Sequence, residues 1–202
     1  MKLTMLGHSA IAIDAPEGTI IIDPGSLTDP ACLKSADAVL LTHAHPDHLN
    51  VDAVRDSGLP VWGTAEAIAA LGDRAEDTVV QRDSEFDILG QHIRVFGGQH
   101  AEIHPSLPRP ENLGYYMDGL LHPGDEYVEC PLPVEVLLLP IAAPWVKGSE
   151  AADYAVKVGA RVTIPIHDAV LSPGGKAITD GMLGKVGVPG YQRVETGETV
   201  EF

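Results

Sequence analysis

Residues 43–48 read His-Ala-His-Pro-Asp-His, which puts three of the chain's nine histidines and a carboxylate into six positions. Imidazole and carboxylate together are the ligand types that hold divalent metal ions. In an extended segment, residues two apart point to the same side, so His43 and His45 can face one ion. Asp47 and His48 then enter the same cavity from a turn stiffened by Pro46. The competing reading is a histidine-rich surface loop. Against it stands the apolar run "ADAVLL" that leads directly into the motif.

A metal site needs further ligands, and three polar residues sit where such ligands are expected. His100 follows "IRVFGGQ", Asp125 follows "LLHPG" and His167 follows "RVTIPI", each just beyond an apolar run. Five imidazoles, two carboxylates and no thiolate make a nitrogen and oxygen site suited to two divalent ions, with zinc first and manganese or iron also accommodated. Two such ions, two carboxylates and a hydroxide leave the cavity with about one positive charge, which fits an anionic or carbonyl substrate. Two ions roughly 3.5–4 Å apart lower the pKa of a shared water towards about 7, and the resulting bridging hydroxide attacks a carbonyl or phosphoryl centre. Asp47 can also pass a proton to the leaving group.

The remaining histidines are His8, His92, His104 and His122. His104 competes with His100, because "HAEIH" on a helix would bring the two together; Gly97, Gly98 and Pro105 argue against that helix. His92 reads as a solvated strand residue, and His122 as a buttress of the Asp125 loop. Asp23, at the end of "TIIID", either accepts a hydrogen bond from a ligand imidazole or caps the turn before Pro24. In "APWVKGSE", Trp145 and Lys147 either line the pocket or serve as rim packing and a solvated charge. Tyr115 and Tyr116 alternate across a strand, so at most one faces the cleft.

The elements that must carry these residues follow from pattern. Two β-rich runs flank "APEG" near the start and predict a hairpin closed by Asp23. "ADAVLLTHAH" has the continuous apolar character of a strand buried on both faces. Pro46 predicts a helix over "PDHLNVDAVRDSG" that Gly58 ends. "LPVWGT" reads as a strand, and Thr64 as the cap of the helix "AEAIAALG". Two strands surround Gly90, and "LGYYMDGLLHPGD" is a hairpin with Asp118-Gly119 in a type I′ turn. "VEVLLLPIA", "SEAADYAVKVGA" and "RVTIPIHD" predict strand, helix capped by Ser149, and strand, before a final hairpin or edge pair in "YQRVETGETVEF". Strands alternating with helices in this way imply helices packed outside sheets.

With 202 residues, 45% of them apolar, and no linker or low-complexity tract, one domain over 1–202 is expected. The 13 basic and 29 acidic residues give a formal charge of −16 without any basic block, which makes nucleic acid an unlikely partner and a small molecule the expected one. The opening "MKLTMLGHSAIAID" lacks the pattern of a signal peptide, and no apolar run is long enough to cross a membrane. Cys32 and Cys130 are too few and too isolated for a disulfide framework or a thiolate metal site and read as small core or loop residues. The protein is expected in the cytoplasm. Oligomeric state has no readable signal.

"HAHPDH" resembles the His-x-His-x-Asp-His motif of metallo-β-lactamase-fold hydrolases, and the order His100, Asp125, His167 is similar to the later ligands of that superfamily. "TMLGHSAIAI" resembles the opening strand of the subgroup that includes ascorbate-6-phosphate lactonase and N-acyl-phosphatidylethanolamine phospholipase D. The resemblance runs essentially the whole chain and implies an α/β fold, a four-layer αββα sandwich with metals at one edge of the paired sheets. It implies His43, His45 and His100 as ligands of one ion, Asp47, His48 and His167 as ligands of the other, and Asp125 as the bridge. It also places His8 near the metal cleft, in a substrate or supporting role. One departure is Glu126, where many members carry a small hydroxyl residue after "GD". The implied activity is hydrolysis of a small-molecule ester, lactone or phosphoester, with a nuclease of the same superfamily or a non-catalytic metal sensor as the alternatives.

Overall fold

The computed structural model describes residues 1–72 and 74–202. In chain order these form β1 (Lys2–Gly7), β2 (Ala10–Ala15), β3 (Gly18–Ile22), β4 (Ala38–Leu41), α1 (Val51–Ser57), β5 (Val61–Gly63), α2 (Ala65–Leu71) and β6 (Thr78–Val79). They continue through β7 (Glu85–Ile88), β8 (Gln91–Gly97), β9 (Leu113–Met117), β10 (Leu120–His122), β11 (Val136–Pro140), α3 (Gly148–Val158), β12 (Val162–Ile166), α4 (Pro173–Val186) and β13 (Thr199–Glu201). One sheet has the order β13-β1-β2-β3-β4-β5-β6 and the other β12-β11-β10-β9-β8-β7.

Alternation along the central strands builds the layers. Leu40 faces the core between the sheets, whereas Val39 and Leu41 join Val54 of α1 and Ile68 of α2 outside the first sheet. Leu138 likewise faces inward, and Leu137 and Leu139 pack with Ala151 and Ala155 of α3 and Leu183 of α4 outside the second. The expected four-layer αββα sandwich is the observed fold.

Strand direction decides where chemistry can gather. β3, β4 and β5 are parallel, and β1 runs the same way because it is related to β3 by two antiparallel steps through β2. In the other sheet β10, β11 and β12 are parallel, and β8 matches them through β9. The carboxyl ends of β1, β3, β4, β8, β10, β11 and β12 therefore open on one edge, the usual ligand side of such sheets. At that edge the sheets are also bonded together: the Leu113 N–H donates to Thr42 O at 2.9 Å, and the buried Tyr115 hydroxyl donates to Leu41 O at 2.8 Å.

Several local expectations hold. Thr64 caps α2, Gly58 ends α1 in the left-handed region, and Asp118 and Gly119 both have positive φ, as a type I′ turn requires. Others are corrected. Pro46 does not start α1: residues 46–48 make a single turn in which the His48 and Leu49 N–H groups both donate to His45 O, and the helix begins at Val51 under an Asn50 cap. α3 begins at Gly148 with Lys147 at its cap position and no side-chain cap bond, so Ser149 lies inside the helix. Of the two readings of the chain end the edge pair is the one observed, not the hairpin: β13 pairs with β1 at the edge of its sheet, and Tyr191 makes an isolated bridge to Thr163. α4 has no counterpart in the sequence reading, because Gly174, Gly175, Gly181 and Gly184 dilute its helical signal by about 1 kcal/mol each. Tyr115 points into the core and the Tyr116 hydroxyl donates to Pro133 O, so neither faces the metal edge. Among the described residues no helix is long and apolar enough to cross a membrane.

Candidate metal centre

Six of the seven strands that open on the edge deliver a polar side chain just past their ends: His8 after β1, Asp23 after β3, His43 after β4, His100 after β8, Asp125 after β10 and His167 after β12; β11 is followed by Ile141 and Ala142. Their ligand atoms form two groups, His43, His45, His100 and Asp125 in one, His8, Asp47, His48 and His167 in the other, with all atoms of a group within 4.8 Å of one another.

The hydrogen bonds of each ring fix which nitrogen faces the centre. The Nδ1–H of His100 donates to Ala101 O at 2.6 Å, and that of His167 to Ala142 O at 2.5 Å. The Nδ1–H of His48 donates to Asp23 Oδ2 at 2.7 Å. His43 Nδ1–H donates to Thr42 Oγ1 at 3.0 Å, and that hydroxyl donates onward to Asp23 Oδ2 at 2.6 Å. A ring protonated at Nδ1 carries its lone pair on Nε2. Nε2 of His48, His100 and His167 is buried with no hydrogen-bond partner, as is Oδ1 of Asp125. His45 completes the first group, with Nδ1 3.1 Å from His43 Nε2.

Asp125 stands between the groups. Its Oδ1 is 3.2 Å from His48 Nε2, and its Oδ2 is 3.3 Å from His100 Nε2 and 3.2 Å from His167 Nε2. Its loop is fixed by Asn112, whose Oδ1 accepts from the Asp125 N–H at 2.9 Å and whose Nδ2 donates to Pro123 O at 3.0 Å. Gly124, at φ +64°, has no room for a side chain: a Cβ would meet Asn112 Oδ1 at 2.3 Å.

Buried lone pairs around two carboxylates attract positive charge. Burial disfavours the charged forms of Asp125 and His48, yet the carboxyl is held well below its usual range by His48, His100 and His167, and His48 is held well above its own by Asp125 and Asp23. His167 behaves alike: burial lowers it, Asp125 and Asp47 outweigh that, and it is pushed up to about 9. His43, further from compensating charge, is pulled well below its usual value by burial. Orphaned imidazole nitrogens converging on carboxylates are what divalent cations satisfy, so this donor set fits two ions, each displacing protons as it binds.

His8 faces the second group differently. The Ala169 N–H donates to His8 Nδ1 at 3.3 Å, which makes Nε2 the protonated nitrogen. That N–H donates to Asp47 Oδ2 at 3.1 Å. A neutral His8 therefore orients Asp47 and offers no lone pair of its own to an ion. Asp47 is the open side of the centre, with 31% of its side chain exposed, and its Oδ2 is also 3.3 Å from His167 Nε2.

Of the residues singled out from sequence, the structure brings together His43, His45, Asp47, His48, His100, Asp125 and His167, together with His8 and Asp23. Trp145 joins them, its indole N–H donating to Asp125 Oδ2 at 3.1 Å. His104 and Lys147 are corrected. His104 is exposed and bonded to Ser106, on an irregular loop because no helix forms there, and Lys147 is exposed beside Glu150 at 3.6 Å. Sequence reasoning missed Thr42 and Asn112; Thr42 directly precedes the motif, whereas Asn112 has no local signal.

Two facing sheets with outer helices and an imidazole and carboxylate centre at one edge are the architecture of the metallo-β-lactamase class. The family described as "Beta-lactamase superfamily domain" matches residues 2–167, and the chain belongs to it. It is 31% identical to Protein Rv0786c of Mycobacterium tuberculosis over 100% of both chains. It is 27% identical to the UPF0173 metal-dependent hydrolase MK1542 of Methanopyrus kandleri, covering 86% of each. Among solved structures, Igni18, a metallo hydrolase from Ignicoccus hospitalis, has the same fold, with a TM-score of 0.75 at 22% identity over 100% of this chain and 98% of that one.

Proposed function

We propose that the protein is a dinuclear metal-dependent hydrolase acting on a small-molecule ester, lactone or phosphoester, with zinc as the first-choice ion and manganese or iron also accommodated. In this reading His43, His45 and His100 hold one ion, Asp47, His48 and His167 the other, and Asp125 lies between them. The observation that carries it is the set of buried, partnerless Nε2 atoms on His48, His100 and His167, each on a ring tied down through Nδ1. Rings anchored in this way are prepared for metal, since ligand imidazoles normally donate their other N–H to a fixed acceptor. The name of the Methanopyrus relative agrees with a metal-dependent hydrolase.

When bound, two such ions supply an activated water at neutral pH and offset charge that develops on the substrate. The chain's own residues do the rest. Trp145 and Asn112 hold Asp125 in place from its side chain and its backbone. His8 holds Asp47 as a carboxylate, and its partial exposure leaves it able to take up the proton lost by the attacking water and hand it to a departing alkoxide. The resemblance of the opening "TMLGHSAIAI" segment, which carries His8, favours lactonase or phosphodiesterase chemistry over β-lactam turnover. Nucleic acid is disfavoured: Arg109 donates through Nε to His100 O and lies 3.6 Å from Glu126, and Lys147 lies 3.6 Å from Glu150, so neither is a free phosphate clamp. Cys32 and Cys130 are free, which suits the cytoplasm.

Metal content measured after purification tests the reading first: two ions per chain are expected, and fewer than about one sinks it. Turnover is then screened over lactones, aryl esters, phosphodiesters and single-stranded RNA with His43→Ala as control. Activity that survives His43→Ala comes from somewhere other than this centre.

A further inference from the structure

We propose that Arg193 is a positioning residue for the second half of the metal centre, acting through Asp168 on the paired turns that carry His8 and His167. The inference rests on the two-ion reading above, and it makes the segment beyond the family match at 2–167 part of the site.

His8 and His167 both occupy the left-handed region, at φ +54° and +60°. For residues with a side chain this costs of order 1 kcal/mol each and persists only where the surroundings enforce it. The two turns enforce each other across the sheets. The His167 N–H donates to His8 O at 2.9 Å, the Ala169 N–H donates to His8 Nδ1 at 3.3 Å, and the rings lie 4.0 Å apart. Residues 167–169 thus set both the His167 ring and the protonated nitrogen of His8, and both rings converge on Asp47 Oδ2.

Between those two donors sits Asp168, 7% exposed. Its Oδ2 accepts from Arg193 Nη1 and lies 3.0 Å from Lys176 Nζ. Arg193 is itself gripped from behind: its Nε and Nη2 donate to the two oxygens of Asp180 on α4 at 2.8 and 2.7 Å, and the Tyr191 hydroxyl donates to Asp180 at 2.6 Å. The backbone leading to Arg193 is laid against β12, with the Thr163 N–H donating to Gly190 O and the Gln192 N–H donating to Thr163 O. Gly190 permits this approach, since a Cβ there would stand 1.9 Å from Arg161 O. A planar guanidinium bridging two carboxylates, with only 15% of its side chain exposed, fixes Asp168 in direction as well as in charge.

A purely architectural Arg193 would anchor α4 and affect both metal half-sites equally. A positioning Arg193 affects one. Zinc titration by calorimetry on wild type, Arg193→Met and Arg193→Lys separates them, alongside amide exchange of the metal-free chains. For Arg193→Met the second ion is expected to weaken at least ~10-fold while the first stays within ~2-fold. The amides of His167 and Ala169 are expected to exchange ~10-fold faster. Arg193→Lys, which keeps a charge on Asp168 without the fork, recovers part of both effects. Equal weakening of both ions, or unchanged binding and exchange in a folded Arg193→Met protein, overturns the proposal. Should Arg193→Met fail to fold, Asp168→Asn replaces it under the same criteria. A wild-type chain that binds only one ion defeats the two-ion reading, and the exchange of residues 167–169 then still decides whether Arg193 holds them.

Discussion

The two halves of the metal centre are built by different means. In the first, His43 and His45 come from one strand end, and the rings of His43 and His100 are tied down by adjacent residues, Thr42 and Ala101. In the second, His48 depends on Asp23, His167 on Ala142 and Asp47 on His8, across sequence separations of 25, 25 and 39. Three of the non-glycine residues at positive φ, His8, Asp23 and His167, support that second half. Both halves draw ligands from both sheets, but the rings of the first are anchored by sequence neighbours and those of the second by remote turns, so loss of a remote contact is expected to reach the second half first.

Removing the group common to both halves erases the contrast. Asp125→Ala is expected to lose both ions and lower turnover by ~10³-fold or more, read by metal analysis and initial rates. Retention of one tightly bound ion would show that Asp125 belongs to one half alone. Asp23→Ala comes next. It removes the acceptor of the Thr42 N–H, the Thr42 hydroxyl and His48 Nδ1–H, all in a fully buried position. A destabilisation of ~3 kcal/mol by denaturant titration is expected, with His48's ion weakened more than His43's.

His8→Phe sharpens the comparison without touching a ligand. It keeps a ring, slightly larger, in the buried position but removes both the N–H that orients Asp47 and the acceptor of the Ala169 N–H, so the second ion is expected to weaken by ~10- to 100-fold in calorimetric titration and the first to be unchanged. The Asp180 contact gives a smaller, pH-dependent effect. Burial opposes ionisation of Asp180, but Arg193 and Tyr191 outweigh it and hold the carboxyl below its usual value. A folded-state value below the unfolded one contributes stability above about pH 4 that is lost as pH falls further. Asp180→Asn is therefore expected to be ~0.5 kcal/mol less stable at pH 7, with the gap closing in acid. His104→Ala and Lys147→Ala, which stand outside both halves, should leave stability within ~0.5 kcal/mol and metal content unchanged.

The same contrast governs what could be read from sequence. His43 and His45 are legible because a strand places alternate residues together, and the later ligands because each ends an apolar run. The fold class follows from the resemblance of the whole ordered set. The role of Asp23 stayed open between ligand support and turn cap, since nothing local says that His48 turns towards it. Arg193 and Asn112 carry no periodicity at all; their importance exists only once β12 and β9 lie beside the site. Pro46 misled because a proline that suits a first helical turn also suits an isolated one, and Asn50 restarts the chain as a separate helix.

The Tyr115 and Leu113 bonds between the sheets have a mechanical meaning. Together with the bonds from His122 Nε2 to Ser9 O and from the His167 N–H to His8 O, they rivet the two sheets where the metal ligands meet. At the opposite edge, among the described residues, the Glu17 N–H to Leu89 O bond crosses between the sheets, and the interior between is close-packed apolar contact, which is not directional. The ligand side chains thus lie along the seam where directional bonds, rather than apolar contact alone, set how the two sheets meet.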